Sequence, residues 1–138
     1  MTVFVPVTGI PVDDQDKALA FYTDVLGFVV KTNIPVGDAK WLTVVSPEAP
    51  DGVEVLLEPD GNPGIQIDGK PAAQVYKKAL YDAGVPYTML GTTDLDKDYE
   101  RMKGLGVRFT QEPMKTDFGA MAVFDDTCGN LIVLTQQG

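Results

Sequence analysis

The fold is decided by residues 12–28, which read VDDQDKALAFYTDVLGF. The stretch recurs more faintly at residues 92–107, which read TTDLDKDYERMKGLGV. A shift of 80 residues places Asp14 on Asp94, and a shift of 79 aligns the glycines that end the two copies. A single one-residue gap therefore reconciles them, and a repeat at this spacing predicts two modules of the same architecture.

Each copy has the pattern of a short helix with defined ends. In the first copy either Asp13 or Asp14 caps the N-terminus, and Gly27 supplies the left-handed residue that ends the helix. The apolar residues between them follow the i, i+3, i+4, i+7 spacing of a helix that buries one face. These residues are Ala18, Phe21, Tyr22, Val25 and Leu26. We therefore predict a helix of about three turns in each module.

Segments rich in β-branched and aromatic residues flank both helices. They predict the order β-α-β-β-β in residues 1–58 and again in residues 85–138, with a connector helix within residues 59–84. The predicted strands are residues 3–12, 28–34, 40–46 and 53–58, then 86–93, 107–111, 119–124 and 130–135. The fold class is therefore α+β, and residues 1–138 form one domain of two tandem modules.

The composition argues against several classes of function. The net charge of −9, from 20 acidic and 11 basic residues, disfavours nucleic acid but is compatible with a cationic or neutral small molecule. The longest apolar runs have only the length of a strand, so we expect no membrane span. The N-terminus lacks the basic segment of a signal peptide, and the single cysteine, Cys128, cannot form an internal disulfide. A cytoplasmic location is therefore expected.

Two such modules in about 130 residues resemble the vicinal-oxygen-chelate superfamily, which holds glyoxalase I, extradiol dioxygenases and bleomycin-resistance proteins. Residues 12–28 are similar to its signature V-x-D…FY…VLGF, and residues 126–130, DTCGN, are similar to its turn D-P-D-G-N. The resemblance implies that each module curls a four-stranded sheet into half of an open barrel around a cleft. It also implies a homodimer, because such clefts in the family are usually completed by a second copy.

The resemblance further implies where metal ligands would lie, on the first and fourth strands of each module. The four positions are Val7, Glu54, Tyr87 and Val133, where Val133 follows from applying the shift of 79 to Glu54. Valine offers no donor, a phenol is a poor ligand for most divalent ions, and the chain has no histidine. We therefore expect no metal and no cofactor. Three residues remain as alternative ligands if the alignment is shifted: Glu58, Gln66 and Glu112.

The side chains most suited to lining a cleft are aromatic. Trp41, the only tryptophan, lies on the predicted third strand, where alternation leaves open whether it packs in the core or lines the cleft. The family pattern implies that Glu54 and Tyr87 face the cleft, with Val7 and Val133 beside them. Arg108 either joins them or is simply exposed. Cys128 is disfavoured as a nucleophile, because no histidine exists to activate it.

These observations favour a metal-free, homodimeric protein that sequesters a small molecule, cationic or neutral, as the family's bleomycin-resistance proteins do. The alternative is an enzyme of the lyase, isomerase or dioxygenase class, with an atypical metal site or with Glu54 as general base. The sequence leaves open whether the protein is an enzyme. A structural or regulatory role is less supported, because the sequence predicts no large exposed apolar patch.

Overall fold

Each copy of the repeat folds into a helix and a four-stranded sheet in the computed structural model, which describes residues 2–138. The first unit ends at Gln74 and the second is Val75–Gly138. The elements are β1 (Val7–Val12), α1 (Gln15–Ala20), a π turn (Phe21–Val25), β2 (Val29–Val36), β3 (Ala39–Val45), β4 (Glu54–Pro59), β5 (Gln66–Ile67), β6 (Lys70–Pro71), α2 (Ala72–Asp82), β7 (Thr88–Gly91), α3 (Leu95–Gly104), β8 (Phe109–Thr116), β9 (Gly119–Asp125) and β10 (Leu131–Gln137).

The two sheets have the same topology. Their strand orders are β1-β4-β3-β2 and β7-β10-β9-β8, with the first pair of each order parallel and the other pairs antiparallel. The α+β class and the repeated β-α-β-β-β order are thereby confirmed. The predicted module boundaries, 1–58, 59–84 and 85–138, and the homodimer stay predictions. No helix within residues 2–138 is both long enough and apolar enough to cross a membrane.

The first helix differs from the uninterrupted α-helix that its spacing predicts. Asp14 caps it, accepting a hydrogen bond from the Lys17 amide at 3.0 Å. The α-helix ends at Ala20, however, and a π turn follows, in which the Leu26 amide donates to the carbonyl of Phe21, five residues back. The wider turn places two neighbouring aromatic side chains in the core, where Phe21 and Tyr22 are 7% and 0% exposed.

Strand ends differ from the predicted ones mainly at prolines. The prediction of a strand from residue 3 was wrong, since β1 begins at Val7, after Pro6. The turn predicted at residues 35–38 was wrong in its first half, because Pro35 belongs to β2 and pairs with Lys40. β2 lies at the edge of its sheet, where a residue without an amide hydrogen does not break the ladder.

The connector between the two modules contains more than the single helix that the sequence predicts. A short hairpin, β5–β6, precedes α2, on which Tyr76 is 57% exposed. The buried residue of α2 is instead Lys77, whose ammonium donates to the carbonyl of Cys128 at 2.7 Å. Gly129 makes room for it, since a Cβ there would lie 2.7 Å from the lysine nitrogen. The hydrogen bond anchors α2 to the turn between β9 and β10.

Candidate functional site

The first sheet packs one face in the core, and we call its other face, which carries Trp41, the open face. This face is exposed at Trp41 and buried further along β3, at Thr43 and Val45. On β3, Leu42 and Val44 are buried in the core at 1% and 0% exposure. Trp41 therefore points to the opposite side, where it is 45% exposed. The structure thus decides the alternative that the sequence left open, and places the only tryptophan on the open face.

A groove of about 790 Å³ lies on this face beside Trp41. Its walls come from the ends of β2, β3 and β4 and from the loop that follows β4. The lining residues are Val36, Asp38, Ala39, Lys40, Trp41, Leu56, Glu58, Pro59, Gly61, Asn62 and Pro63. The groove is therefore lined mainly by apolar residues and one indole, together with a few polar groups, as is typical of small-molecule sites.

Glu54 lies on the open face but outside the groove. It is the register partner of Val7 on β1, so the structure brings these two predicted residues together. Its carboxylate accepts a hydrogen bond from the hydroxyl of Thr43 at 2.7 Å, and Thr43 is fully buried. The contact gives Glu54 a structural partner and fixes its side chain. The acid of β4 that lines the groove is instead Glu58, four residues further along the strand.

Glu58 was predicted only as an alternative metal ligand. A signal for its role was present in the sequence, because the period of two along a strand puts residues 54, 56 and 58 on one face. The β3–β4 pairing ends at Thr43 opposite Leu56, and beyond it the side-chain amide of Gln15 donates to the carbonyls of both strands at 2.8 Å. The predicted residue Trp41 shares the groove with Glu58 and not with Glu54.

The second unit holds the other two predicted residues, Tyr87 and Val133. The amide of Tyr87 donates to the carbonyl of Leu131 at 2.8 Å, and the β7–β10 register continues from Thr88 opposite Ile132. Leu131, rather than Val133, therefore occupies the position that matches Glu54. The alignment with a shift of 79 was wrong there, because the turn before β10 is shorter than its counterpart before β4.

The corresponding face of the second sheet is covered in part by its own unit, and a groove of about 610 Å³ remains beside the covering residues. Val123, Leu131 and Val133 form a buried cluster against which Tyr81 of α2 and Met121 pack. Tyr87 lies edge-on to Tyr76 of α2, with ring centroids 6.2 Å apart. Of the two sheets, only the first thus presents a solvent-exposed tryptophan on this face.

The positions that would hold the family's metal do not fit one. In the first unit they offer the carboxylate of Glu54 beside Val7, and in the second a phenol, Tyr87, beside Leu131. A divalent ion needs three or four converging N, O or S donors. Over residues 2–138 no three or more histidine, cysteine, aspartate or glutamate side chains gather closely enough to hold an ion.

A polar cluster joins Tyr81, Arg108 and Asp125 at the edge of the second unit. The Asp125 carboxylate accepts from the Tyr81 hydroxyl at 2.5 Å and from the Arg108 guanidinium at 3.0 Å. Burial alone would raise the pKa of Asp125, but these hydrogen bonds and one from the Thr127 amide outweigh it, and the pKa is lowered. The hydrogen bond to Asp125 in turn raises the pKa of Tyr81. Arg108 is exposed, with its guanidinium paired to Asp125, and it lines the groove of the second unit rather than the one beside Trp41.

This cluster predicts how stability depends on pH. The pKa of Asp125 is lower in the folded protein than in the unfolded chain, so the ionised carboxylate stabilises the fold at pH values above the unfolded pKa. This stabilisation is lost as the pH falls through the folded pKa. Asp125→Asn should lower the free energy of unfolding by about 1–2 kcal/mol at neutral pH. The difference from the wild type should shrink between about pH 5 and pH 2. Urea unfolding across that range measures it, and curves that keep a constant separation would contradict the prediction.

Cys128 lies in the turn between β9 and β10 and has no route to a substrate. Its side chain is 0% exposed, and its amide donates to the Asp126 carboxylate at 2.8 Å. A nucleophilic thiol must be reachable and must have a base or cation that stabilises the thiolate. The residue therefore serves the packing of the turn.

The comparisons with known proteins agree with this architecture. The family model described as Glyoxalase/Bleomycin resistance protein/Dioxygenase superfamily matches residues 4–134. The Bacillus subtilis (strain 168) protein YurT is 49% identical over 131 residues, which cover 95% of this chain and 97% of YurT. YetH of the same organism is 30% identical over 129 residues, which cover 91% of each chain.

Two crystal structures are similar along nearly the whole chain. UcmS2 is 34% identical with a TM-score of 0.83, over 99% of this chain and 100% of its own. TnmS3, an antibiotic binding protein from Streptomyces sp. CB03234, is 28% identical with a TM-score of 0.74, over 99% and 98%. The resemblance that the repeated stretch indicated is confirmed: this chain belongs to the glyoxalase/bleomycin resistance protein/dioxygenase superfamily.

Proposed function

We propose that the protein binds a small molecule with a planar apolar surface in the groove beside Trp41, and holds it without converting it. The observation that carries the proposal is the exposed indole, on the open face of a sheet and at the wall of a groove of about 790 Å³. Sites for small molecules have volumes of about 300–1,000 Å³ and are mainly apolar and aromatic. The similarity to TnmS3, an antibiotic binding protein, supports the same class of activity.

The energetics of the indole favour a stacked ligand. Trp41 is 45% exposed, so a ligand that covers it removes roughly 100 Å² of apolar surface from water, which contributes about 2–3 kcal/mol. Offset stacking between rings adds about 1 kcal/mol more. A tryptophan fixed on a strand loses little rotamer freedom when the ligand binds, since the strand already orients it.

The groove residues support binding rather than catalysis. Covalent catalysis needs a nucleophile and a base within hydrogen-bond reach of each other. The lining residues include no serine, threonine, cysteine or tyrosine, and the one amine among them, on Lys40, binds Asp16 at 2.7 Å. Glu54, the base of the alternative hypothesis, lies outside the groove and accepts a hydrogen bond from Thr43. Sequestration requires only the surface that is present.

The single tryptophan makes the proposal directly measurable, because the intrinsic indole fluorescence comes from the proposed site alone. We expect planar three-ring probes, such as 9-anthracenemethanol and 9-aminoacridine, to quench it saturably at one probe per chain, with Kd of about 1–100 μM. Mass spectrometry of the released probe should show an unchanged molecule. Quenching that does not saturate with any probe would refute the binding site, and a chemically altered probe would refute sequestration.

A further inference from the structure

We infer that Glu58 forms a subsite for a positively charged group, so that the preferred ligand is a planar ring system carrying a cationic nitrogen. The inference rests on the proposed function and names the chemical class of its ligand. Glu58 lies on β4 and Trp41 on β3, the neighbouring strand of the same sheet. Both residues line the groove, so one ligand can contact the ring and the carboxylate.

The Glu58 carboxylate is available to a ligand. The side chain is partly buried, yet over residues 2–138 no group donates a hydrogen bond to it or forms an ion pair with it. Other acids of this unit do have partners: Asp13 binds Lys17, Asp16 binds Lys40, and Glu54 binds Thr43. A carboxylate without a partner in the protein keeps both oxygens available to accept hydrogen bonds from a cationic group of a ligand.

Gly9 allows the carboxylate to lie where it does. A Cβ built on Gly9 would approach the Oε1 atom of Glu58 to 2.6 Å, closer than any real contact. Gly9 lacks a left-handed backbone angle, so a turn or strain does not explain the glycine. The absent side chain instead leaves a shallow space on β1 into which the carboxylate settles.

The charges around the groove also favour a cationic ligand. Glu58 and Asp38 are the acids of the lining, and the only basic lining residue is Lys40, whose ammonium is neutralised by Asp16 at 2.7 Å. The remaining field in the groove is negative, and the net charge of −9 adds a long-range attraction for cations. The face of an indole also attracts a cation through its quadrupole. Trp41 and Glu58 therefore favour the same charge on a ligand.

Two probes with the same three-ring frame test the inference: 9-aminoacridine, a cation at neutral pH, and neutral 9-anthracenemethanol. In fluorescence titrations, Glu58→Gln should weaken binding of the cation about tenfold and change binding of the neutral probe by less than about twofold. Gly9→Ala, which displaces the carboxylate, should weaken binding of the cationic probe by a smaller factor and leave binding of the neutral probe unchanged. Thermal unfolding of each variant verifies that it is folded.

The matched control is Glu48→Gln, an equal change of charge in the exposed turn after β3, at the other end of that strand from Trp41. It should leave both affinities unchanged. If Glu48→Gln weakens binding of the cationic probe as much as Glu58→Gln does, the effect comes from long-range charge alone and the inference fails. If both probes bind the wild type and Glu58→Gln equally, the inference fails while the proposed function stands. If neither probe binds the wild type, the proposed function itself fails.

Discussion

Replacing Trp41 with alanine is expected to weaken binding of 9-anthracenemethanol by about 30-fold or more. Truncating a central aromatic anchor of a binding site costs about 2–4 kcal/mol, and 1.4 kcal/mol corresponds to tenfold in affinity. Trp41→Ala removes the one aromatic ring among the residues that line the groove. Because the variant has no tryptophan, isothermal titration calorimetry replaces fluorescence as the measurement.

The folded state should be nearly unaffected by the same change. Trp41 is 45% exposed on the open face, so its removal leaves no cavity in the core formed by Leu42 and Val44. Trp41→Phe is the matched control, since a smaller ring retains stacking and should lose only a few-fold in affinity. Trp41→Ala binding as tightly as the wild type would show that the ligand lies elsewhere.

Asp126→Ala is expected to cause the largest loss of stability, about 3–5 kcal/mol. The carboxylate is 0% exposed and accepts hydrogen bonds from the amides of Cys128 at 2.8 Å and Asn130 at 3.0 Å, and from the Asn130 side chain at 3.0 Å. Alanine would leave these buried donors without an acceptor. The same turn receives the ammonium of Lys77, so the anchoring of α2 should weaken together with it.

Thermal and urea unfolding measure this loss, which should lower Tm by roughly 10 °C or more in a chain of this size. Asp117→Ala is the control, because Asp117 lies exposed in the hairpin turn between β8 and β9 of the same sheet. Its effect should stay within about 0.5 kcal/mol. Equal losses for the two variants would show that the hydrogen bonds of Asp126 contribute little net stability.

The repeated stretch predicts the architecture well because its signals are local. An aspartate cap and a terminal glycine fix the ends of a helix through contacts within a few residues, as the Asp94 cap of α3 shows, where the Lys97 amide donates at 3.1 Å. Such local signals do not predict the π turn after Ala20. The spacing of Phe21 and Tyr22 fits either helix, and only packing of both rings into one core selects the wider turn.

The binding groove was harder to predict because it depends on register. Alternation along β3 gives two faces but does not say which face is buried, so the side of Trp41 required the structure. The family pattern directed attention to Glu54, whereas the acids that line the groove are Asp38 and Glu58. Lys77 was missed for a related reason, since a buried lysine depends on a distant carbonyl, that of Cys128, which no helical pattern reveals.

The different coverage of the two sheets has a consequence for how a duplicated module diverges. In one copy, Tyr81 of α2 packs against Val123, Leu131 and Val133, which form a buried cluster. In the other copy the matching face is exposed at Trp41, at the wall of a groove. Substitutions around Trp41 can therefore change what the first copy binds at little cost in packing, whereas substitutions in the buried cluster of the second copy cost stability.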